Sequence, residues 1–280
     1  MRRNFAYAAR PHTIVVLTRE RLDAAVAASQ NLTRAQARSA ILEGRVRVDG
    51  APSTKPGAAV PRGARLEVTQ LPRYVSRGGE KLHGALRAFE LDVTNAQALD
   101  VGASTGGFTD ALLAHGAAHV TALDVGYGQL AWKLRTDPRV TVVERTNFRL
   151  LADDAYPAGF DLIVIDASFI SVRTILARAA AFLRATGTIV ALVKPQFEAG
   201  RERIGGGGVV RDPNVHRSIV REVIDALPRL GLVAIDLAPS PLRGPAGNVE
   251  FFLRVIREGA VIEHHPIDSE RIDRAVEAAG

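Results

Sequence analysis

The segment that decides the fold is Leu99–Phe108, which reads LDVGASTGGF. A strand-like apolar run over 97–101 leads into it, and a helical pattern over 107–115 follows it. Small residues in such a turn let the backbone approach a ligand closely, and the amides at the start of the helix remain free to bind it. The segment therefore predicts a strand–turn–helix unit whose turn binds a ligand.

The same alternation of strands and helices continues along the chain. A long helical pattern covers 213–229. Further apolar runs of strand length cover 119–124, 140–143, 161–166, 188–193, 232–237 and 249–256. Alternation on this scale predicts a mostly parallel sheet with helices on both faces. In such a sheet, ligands bind beyond the carboxyl ends of the strands.

Charge is divided unevenly between this α/β body and the residues that precede it. The chain has 280 residues and a formal net charge of +6. Residues 1–75 contain 13 basic and 5 acidic side chains, whereas the other 205 residues contain 23 and 25. This asymmetry favours a small polyanion-binding module attached to a near-neutral body. The alternative is a basic, solvated face without a partner.

The composition excludes several classes of protein. Cysteine is absent, so the chain has no disulfides, zinc–thiolate sites, iron–sulfur clusters or cysteine nucleophile. No apolar stretch approaches the roughly eighteen residues of a membrane-spanning helix, and the N-terminus lacks a signal-peptide core. We therefore expect a cytoplasmic protein with no membrane partner. The adjacent His264 and His265 rarely converge on one ion, so we predict no metal site.

The basic module is predicted to contain two short helices and a hairpin. One helical pattern covers Arg19–Ser29, and another follows Thr33 and ends at Gly44. Thr33 and Gln36 have the spacing of a capping box. A strand over 45–48 runs into an Asp-Gly turn, and a strand over 65–68 can pair with it across a Pro/Gly-rich loop at 52–63.

Arginines of this module share faces that suit the phosphates of folded RNA. Arg45 and Arg47 are two apart on a strand, and Arg34 and Arg38 are four apart on a helix. Guanidinium groups bind phosphate well. The segments 21–23 (RLD), 33–37 (TRAQA) and 44–50 (GRVRVDG) resemble the S4 RNA-binding domain. The resemblance implies RNA binding, and we add Arg65 and Arg77 to the candidate contacts.

The turn at 100–108 departs from the dinucleotide fingerprint GxGxxG, because position 104 is Ser. It is similar to the D-x-G-x-(S/G)-x-G-G-F loop of S-adenosylmethionine-dependent methyltransferases. Asp124 ends the next strand, 22 residues after Gly102, where a carboxylate can accept both ribose hydroxyls. The alternative for Asp100 and Asp124 is helix or turn capping at strand ends. The resemblance implies adenosylmethionine as cofactor, held by Asp100, Gly102, Ala103, Ser104, Thr105, Gly106, Gly107, Phe108, Asp124, Val125, Asn147 and Asp166.

Four ionisable residues stand at informative places. Asp166 and Lys194 each close an apolar strand, Lys81 opens a helix, and Glu250 lies inside an apolar strand. The chain has only 4 lysines against 32 arginines, and lysine, unlike arginine, can be deprotonated. Each residue taken alone could belong to a surface ion pair. Together they resemble the Lys-Asp-Lys-Glu tetrad of FtsJ-type ribose 2′-O-methyltransferases, which implies a catalytic role for all four.

Longer strings narrow the family. In order, they are 74–82 (YVSRGGEKL), 100–110 (DVGASTGGFTD), 124–130 (DVGYGQL), 166–171 (DASFIS), 194–198 (KPQFE) and 247–251 (GNVEF). Behind an S4-like module, they closely resemble the TlyA (hemolysin A) family of bacterial ribosomal RNA methyltransferases. The resemblance spans roughly 17–257. It implies a Rossmann-like class I methyltransferase domain and 2′-O-methylation of cytidine in 23S and, in some members, 16S ribosomal RNA, with ribosomal subunits as partners.

The expected organisation is a flexible lead (1–16), an S4-like domain (17–70), a linker (71–76), a methyltransferase domain (77–257) and a C-terminal extension (258–280). One rival function is a noncatalytic RNA-binding or ribosome-assembly factor. A nicotinamide-dependent oxidoreductase is disfavoured by Ser104. A pore-forming cytolysin, which the older family name suggests, is disfavoured by the lack of a spanning segment.

Overall fold

The computed structural model describes residues 18–69, 73–260 and 265–280. The chain divides into two compact units, Met1–Leu71 and Pro72–Gly280. The expected lead at 1–16, the first residues of the expected linker and His264 lie outside the described residues.

The first unit is a small α+β fold. In chain order its elements are β1 (Arg19–Arg21), α1 (Leu22–Gln30), α2 (Arg34–Leu42), β2 (Val46–Val48), β3 (Ala51–Ser53), β4 (Ala59–Pro61) and β5 (Leu66–Val68). Strand β2 is the centre of an antiparallel sheet between β3 and β5, and β1 pairs with β4. Leu22, Val26, Ile41 and Val46 are fully buried between the helices and the strands.

Local signals predicted part of this unit well. The Thr33–Gln36 capping box is confirmed, with both reciprocal hydrogen bonds present. The pairing of β2 with β5 is also confirmed. Two expectations are wrong. Arg19–Arg21 is a strand rather than the start of a helix, and the loop at 52–63 contains β3 and β4. Strand β1 exists because its backbone pairs with β4, about forty residues later, which helical periodicity in a short window does not reveal.

The second unit is an α/β sandwich. Its helices are α3 (Arg77–Ala88), α4 (Gly107–Ala114), α5 (Trp132–Arg135), α6 (Val172–Phe182), α7 (Pro195–Glu198), α8 (Pro213–Ala226) and α9 (Ser269–Ala278). Its strands are β6 (Gln97–Val101), β7 (His119–Leu123), β8 (Val140–Val143), β9 (Phe160–Ile165), β10 (Leu183–Val193), β11 (Leu232–Pro239) and β12 (Phe251–Arg257). All the strands predicted for the body are present, so the predicted α/β architecture is confirmed.

These seven strands form one sheet in the order β11-β12-β10-β9-β6-β7-β8. Every neighbouring pair is parallel except those made by β12, which runs antiparallel to β10 and β11. Adjacent residues of β9, such as Ile163 and Val164, are both fully buried, because helices cover both faces of the sheet. The strand order reverses at β6 and β9, and the glycine turn 102–107 lies at that point.

Two details correct the sequence-based placement of the ionisable residues. Glu250 precedes β12 rather than lying inside a strand, and Lys81 is in the second turn of α3 rather than at its start. Because β12 is antiparallel, its first residue Phe251 pairs with Val193, the last residue of β10. This register brings Glu250 to the edge of the sheet where Lys194 follows β10.

Candidate active site

Two lysine–carboxylate pairs meet at the carboxyl edge of the sheet. Glu250 accepts a hydrogen bond from the Lys81 ammonium, and their side chains are only 1% and 8% exposed. Lys194 lies with its Nζ 2.5 Å from Asp166 Oδ1 and donates to Ser168 Oγ at 2.9 Å. All five side chains line one cleft of about 350 Å³, the reaction cleft.

The pairing has an electrostatic reason. Lys81, Lys194 and Glu250 are each less than 10% exposed, and a buried charge is costly unless it has a partner of opposite sign. Within each of these two pairs, the positive and negative charges cancel. Each carboxylate therefore holds an ammonium in place at the cleft wall.

The environment of Asp100 differs from that of the other predicted site residues. It is completely buried, and its Oδ2 accepts hydrogen bonds from the Thr109 amide at 2.9 Å and the Thr109 hydroxyl at 2.7 Å. Burial raises the pKa of this carboxyl to about 7. Its position corresponds to the capping alternative, since it fixes the first turn of α4.

Glycines of the turn are required by packing. A Cβ at Gly102 would lie 2.7 Å from the Asp166 carbonyl oxygen, and Gly102 has a φ of +85°. A Cβ at Gly106 would lie 2.3 Å from Leu134 Cδ1, and Gly106 has a φ of +94°. From the sequence, we expected glycine at these positions because a ligand approaches the backbone closely. The structure gives a different reason, because the space beside Gly106 is already filled by protein.

A second cleft of about 450 Å³, the nucleoside cleft, adjoins the first. Gly102, Ser104, Asp166 and Ser168 line both clefts. Asp124 lies in its wall, and its carboxylate accepts from the amides of Ser104 at 2.8 Å and Gly126 at 2.6 Å.

Most of the predicted cofactor residues line at least one of the two clefts. The reaction cleft is lined by Gly102, Ala103, Ser104, Thr105, Gly107, Phe108 and Asp166. The nucleoside cleft is lined by Gly102, Ser104, Asp124, Val125, Asn147 and Asp166. Asp100 and Gly106 line neither of these two clefts in the described part of the chain.

Sequence reasoning missed several residues of the site, among them Ser168, Arg243 and Pro245. Ser168 touches Lys194, and Arg243 and Pro245 line the reaction cleft. Ser168 stands two residues after Asp166 in the string 166–171, so its place beside a strand end could have signalled it. Arg243 and Pro245 lie in an irregular loop with no comparable pattern.

The predicted RNA-binding arginines differ in what already engages them. Arg38 and Arg47 are exposed. Arg34 contacts Asp23 at 3.0 Å, and Arg65 contacts Glu67 at 3.1 Å. The Arg45 side chain is only 16% exposed, because it contacts Glu43 at 2.8 Å and donates to the Thr69 carbonyl at 3.0 Å.

Arg77 belongs to the second unit. It starts α3, lines the reaction cleft and donates to the Arg243 carbonyl at 2.9 Å. A cation at this place can meet the phosphate of a nucleotide that enters the cleft.

None of the helices in the described residues is long and apolar enough to cross a membrane. No group of three or more His, Cys, Asp or Glu side chains in the described ranges could hold a metal ion.

Comparison with known proteins agrees with this geometry. Residues 74–257 match the model of the FtsJ-like methyltransferase family, and residues 20–66 match that of the S4 domain. The chain belongs to the TlyA (hemolysin A) family of FtsJ-like methyltransferases. The resemblance drawn from the sequence is therefore confirmed, as is the Rossmann-like methyltransferase fold behind an S4 domain.

Three relatives are similar to this TlyA-family chain over most of its length. It is 51% identical to the 16S/23S rRNA (cytidine-2′-O)-methyltransferase TlyA of Mycobacterium tuberculosis, over 79% of this chain and 83% of that protein. It is 45% identical to the putative rRNA methyltransferase YqxC of Bacillus subtilis, over 88% and 89% of the two chains. The solved structure of a putative hemolysin from Streptococcus thermophilus superposes with a TM-score of 0.71 at 39% identity, covering 94% and 96%.

Proposed function

We propose that this protein transfers a methyl group from S-adenosylmethionine to the ribose 2′-hydroxyl of cytidine in ribosomal RNA. The observation that carries the proposal is the reaction cleft, where Lys81, Asp166, Lys194 and Glu250 come together beside the glycine turn. The name of the Mycobacterium tuberculosis relative, a 16S/23S rRNA (cytidine-2′-O)-methyltransferase, supports cytidine as the nucleotide and both 16S and 23S RNA as substrates.

The two clefts fit adenosylmethionine in size and chemistry. Each has a volume within the usual range of small-molecule sites, roughly 300–1,000 Å³, and they share a wall at Gly102 and Asp166. Asp124 would accept the ribose hydroxyls, and Val125 and Asn147 would flank the nucleoside. When bound, adenosylmethionine supplies an electrophilic methyl group.

We assign Lys194, in its uncharged amine form, to accept the proton of the attacking hydroxyl. Methyl transfer requires that hydroxyl to be aligned and its proton to be removed as the new bond forms. The Lys194 amine lies at the cleft wall and is oriented by Asp166 and Ser168. Lys81, held by Glu250, supplies a second ammonium group to the cleft.

We assign RNA recognition to the S4 unit and to Arg77. The basic residues of the first unit, among them Arg38 and Arg47, would bind the phosphates of ribosomal RNA. In this proposal 17–70 bind RNA, 71–76 link the two functions, 77–257 transfer the methyl group and 258–280 extend the fold. The substrate places the reaction in the cytoplasm, on ribosomal subunits.

Mapping of ribose methylation on ribosomal RNA tests the proposal. RNA from cells that lack the protein should lose a 2′-O-methyl group from at least one cytidine. The wild-type protein should restore the mark, and Lys194→Ala should not. An unchanged methylation map would overturn the proposal, and restoration by Lys194→Ala would overturn the assignment of the lysine.

A further inference from the structure

The loop at 166–171 connects β9 to α6 and contributes Asp166 and Ser168 to the reaction cleft. Its backbone is unusual at Phe169, which has a φ of +65° although it is not a glycine. A bulky residue in the left-handed region is strained and persists only where the surroundings hold it. Contacts with other segments must therefore stabilise this loop.

A single short segment, 194–198, holds the loop at both of its ends. At its start, Lys194 contacts Asp166 and Ser168. The Phe197 ring lies with its centroid 5.1 Å from that of Phe169, although Phe169 is 90% exposed, so this contact adds little. At its end, Glu198 reaches the far side of the loop, where α6 begins.

Glu198 makes the most buried of these contacts. Its Oε2 accepts from the Ser171 hydroxyl at 2.6 Å, and its Oε1 accepts from the Val172 amide at 2.6 Å. Its side chain is only 2% exposed, and Arg173 Nε lies 3.4 Å from the same carboxylate. A negative charge at the start of an eleven-residue helix is further stabilised by the helix dipole.

Glu198 lines neither the reaction cleft nor the nucleoside cleft among the described residues. It therefore acts on bound groups only through the residues that it holds. Those residues, Ser171 and Val172, lie two and three positions after Phe169, and the segment that holds them begins at Lys194.

We propose that Glu198 is a positioning residue for methyl transfer. By fixing the start of α6 against the segment that carries Lys194, it keeps Asp166 and Ser168 within reach of the Lys194 amine. This role rests on the proposed function. Displacing a reacting group by about 1 Å can cost roughly 10²-fold in rate, so loosening this contact should slow transfer.

Single-turnover methylation of ribosomal RNA, at saturating adenosylmethionine and RNA, tests the proposal. Glu198→Ala should slow transfer by roughly 10- to 100-fold. Glu198→Gln should recover part of the loss, because its amide oxygen still accepts from the Val172 amide. Asp153→Asn is a matched control, because it removes a carboxylate that pairs with Arg178 on the same helix α6, away from the loop.

A double-mutant cycle separates positioning from a general loss of stability. If Glu198 acts by holding the loop, Ser168→Ala and Glu198→Ala together should slow transfer by less than the product of their separate effects. A purely structural role would lower the melting temperature while leaving the rate per folded molecule unchanged. Hydrogen exchange should show the Val172 amide losing protection in Glu198→Ala.

The outcomes distinguish the two proposals. If the wild-type protein methylates no ribosomal RNA cytidine, the proposed function fails. If the wild type is active and Glu198→Ala transfers at the same rate, or its effect multiplies independently with that of Ser168→Ala, the positioning role is wrong. Should Glu198→Ala not fold, the rate of Glu198→Gln relative to Asp153→Asn decides: a slower rate supports the role and an equal rate overturns it.

Discussion

Lys194 shows how a single side chain is prepared for chemistry by its neighbours. Its ammonium is held by Asp166 and Ser168, and less than a tenth of the residue is exposed. The contacts fix the direction of the amine without closing it off from the reaction cleft. An amine in this place can orient a hydroxyl as a cation or accept its proton as a base.

Arginine and alanine substitutions distinguish these two roles. Lys194→Ala should lower the single-turnover rate by about 10²–10⁴-fold, because a positioned proton acceptor is lost. Lys194→Arg should also fail, because a guanidinium stays protonated and can only orient the hydroxyl. Both variants should bind adenosylmethionine almost normally by calorimetry. A near wild-type rate for Lys194→Arg would reduce the lysine to an electrostatic anchor.

Asp100 should make the stability of the protein depend on pH. Burial, assisted by the nearby Asp166 and Asp124, raises the pKa of its carboxyl from 3.8 to about 7. Between these values the unfolded chain is ionised while the folded chain keeps the proton. The contribution of Asp100 to the free energy of unfolding therefore falls as the pH rises from about 4 to about 7.

Urea unfolding of Asp100→Asn across this pH range measures the effect. The variant is neutral at every pH, so it should gain stability relative to the wild type as the pH rises from 4 to 7. Asp92→Asn is the control, because hydrogen bonds from Thr94 lower the pKa of that carboxyl and its titration lies below the window. A constant difference between Asp100→Asn and the wild type would contradict the burial argument.

At the scale of elements, the contact between α3 and α4 positions Lys81. Gly107 starts α4, and a Cβ there would lie 2.3 Å from Ser76 Oγ and 2.8 Å from the Gly79 amide nitrogen. The two helices can approach this closely only because Gly107 has no side chain. Lys81 is two residues further along α3 than Gly79.

Gly107→Ala should therefore separate the two helices. We expect it to lower the free energy of unfolding by about 1–3 kcal/mol, as overpacking does, and to slow methyl transfer by moving Lys81. Gly206→Ala is a suitable control, because an added Cβ there meets nothing within 4 Å. Equal stability of the two variants in urea would show that the contact between α3 and α4 has room for an added methyl group.

For the molecule as a whole, the distribution of charge separates RNA binding from chemistry. Residues 1–75 have 13 basic and 5 acidic side chains, and the rest of the chain has a small negative net charge. Binding to a polyanion through such a module releases counterions, so the affinity falls as salt is added.

A chain that lacks residues 1–72 should bind adenosylmethionine like the full protein and bind ribosomal RNA more weakly. The slope of the logarithm of RNA affinity against the logarithm of salt concentration should also become shallower, because fewer phosphates are contacted. Filter binding at several salt concentrations, with calorimetry for the cofactor, measures both. Equal RNA affinity of the two chains would leave the S4 unit without a role in binding.

Local patterns in the sequence determined much of this protein. Alternating apolar runs predicted all seven strands of the body, because a strand buried on both faces must be continuously apolar. The capping box at Thr33 was equally local, since its two partners are three residues apart. The family followed from motif strings, and ends of parallel strands placed Asp166 and Lys194 at one edge of the sheet.

Strand ends also predicted that Lys194 lies near Asp166, but only the tertiary structure showed that Lys81 pairs with Glu250. Lys81 and Glu250 are 169 positions apart in the sequence. Because β12 runs antiparallel to β10, Glu250 lies at the edge of the sheet where Lys194 also lies. Tertiary structure alone also revealed strand β1, the packing that requires glycine at 106, and the contact of Glu198 with the first residue of α6. Each depends on a contact between distant segments, and such contacts form only when the core brings those segments together.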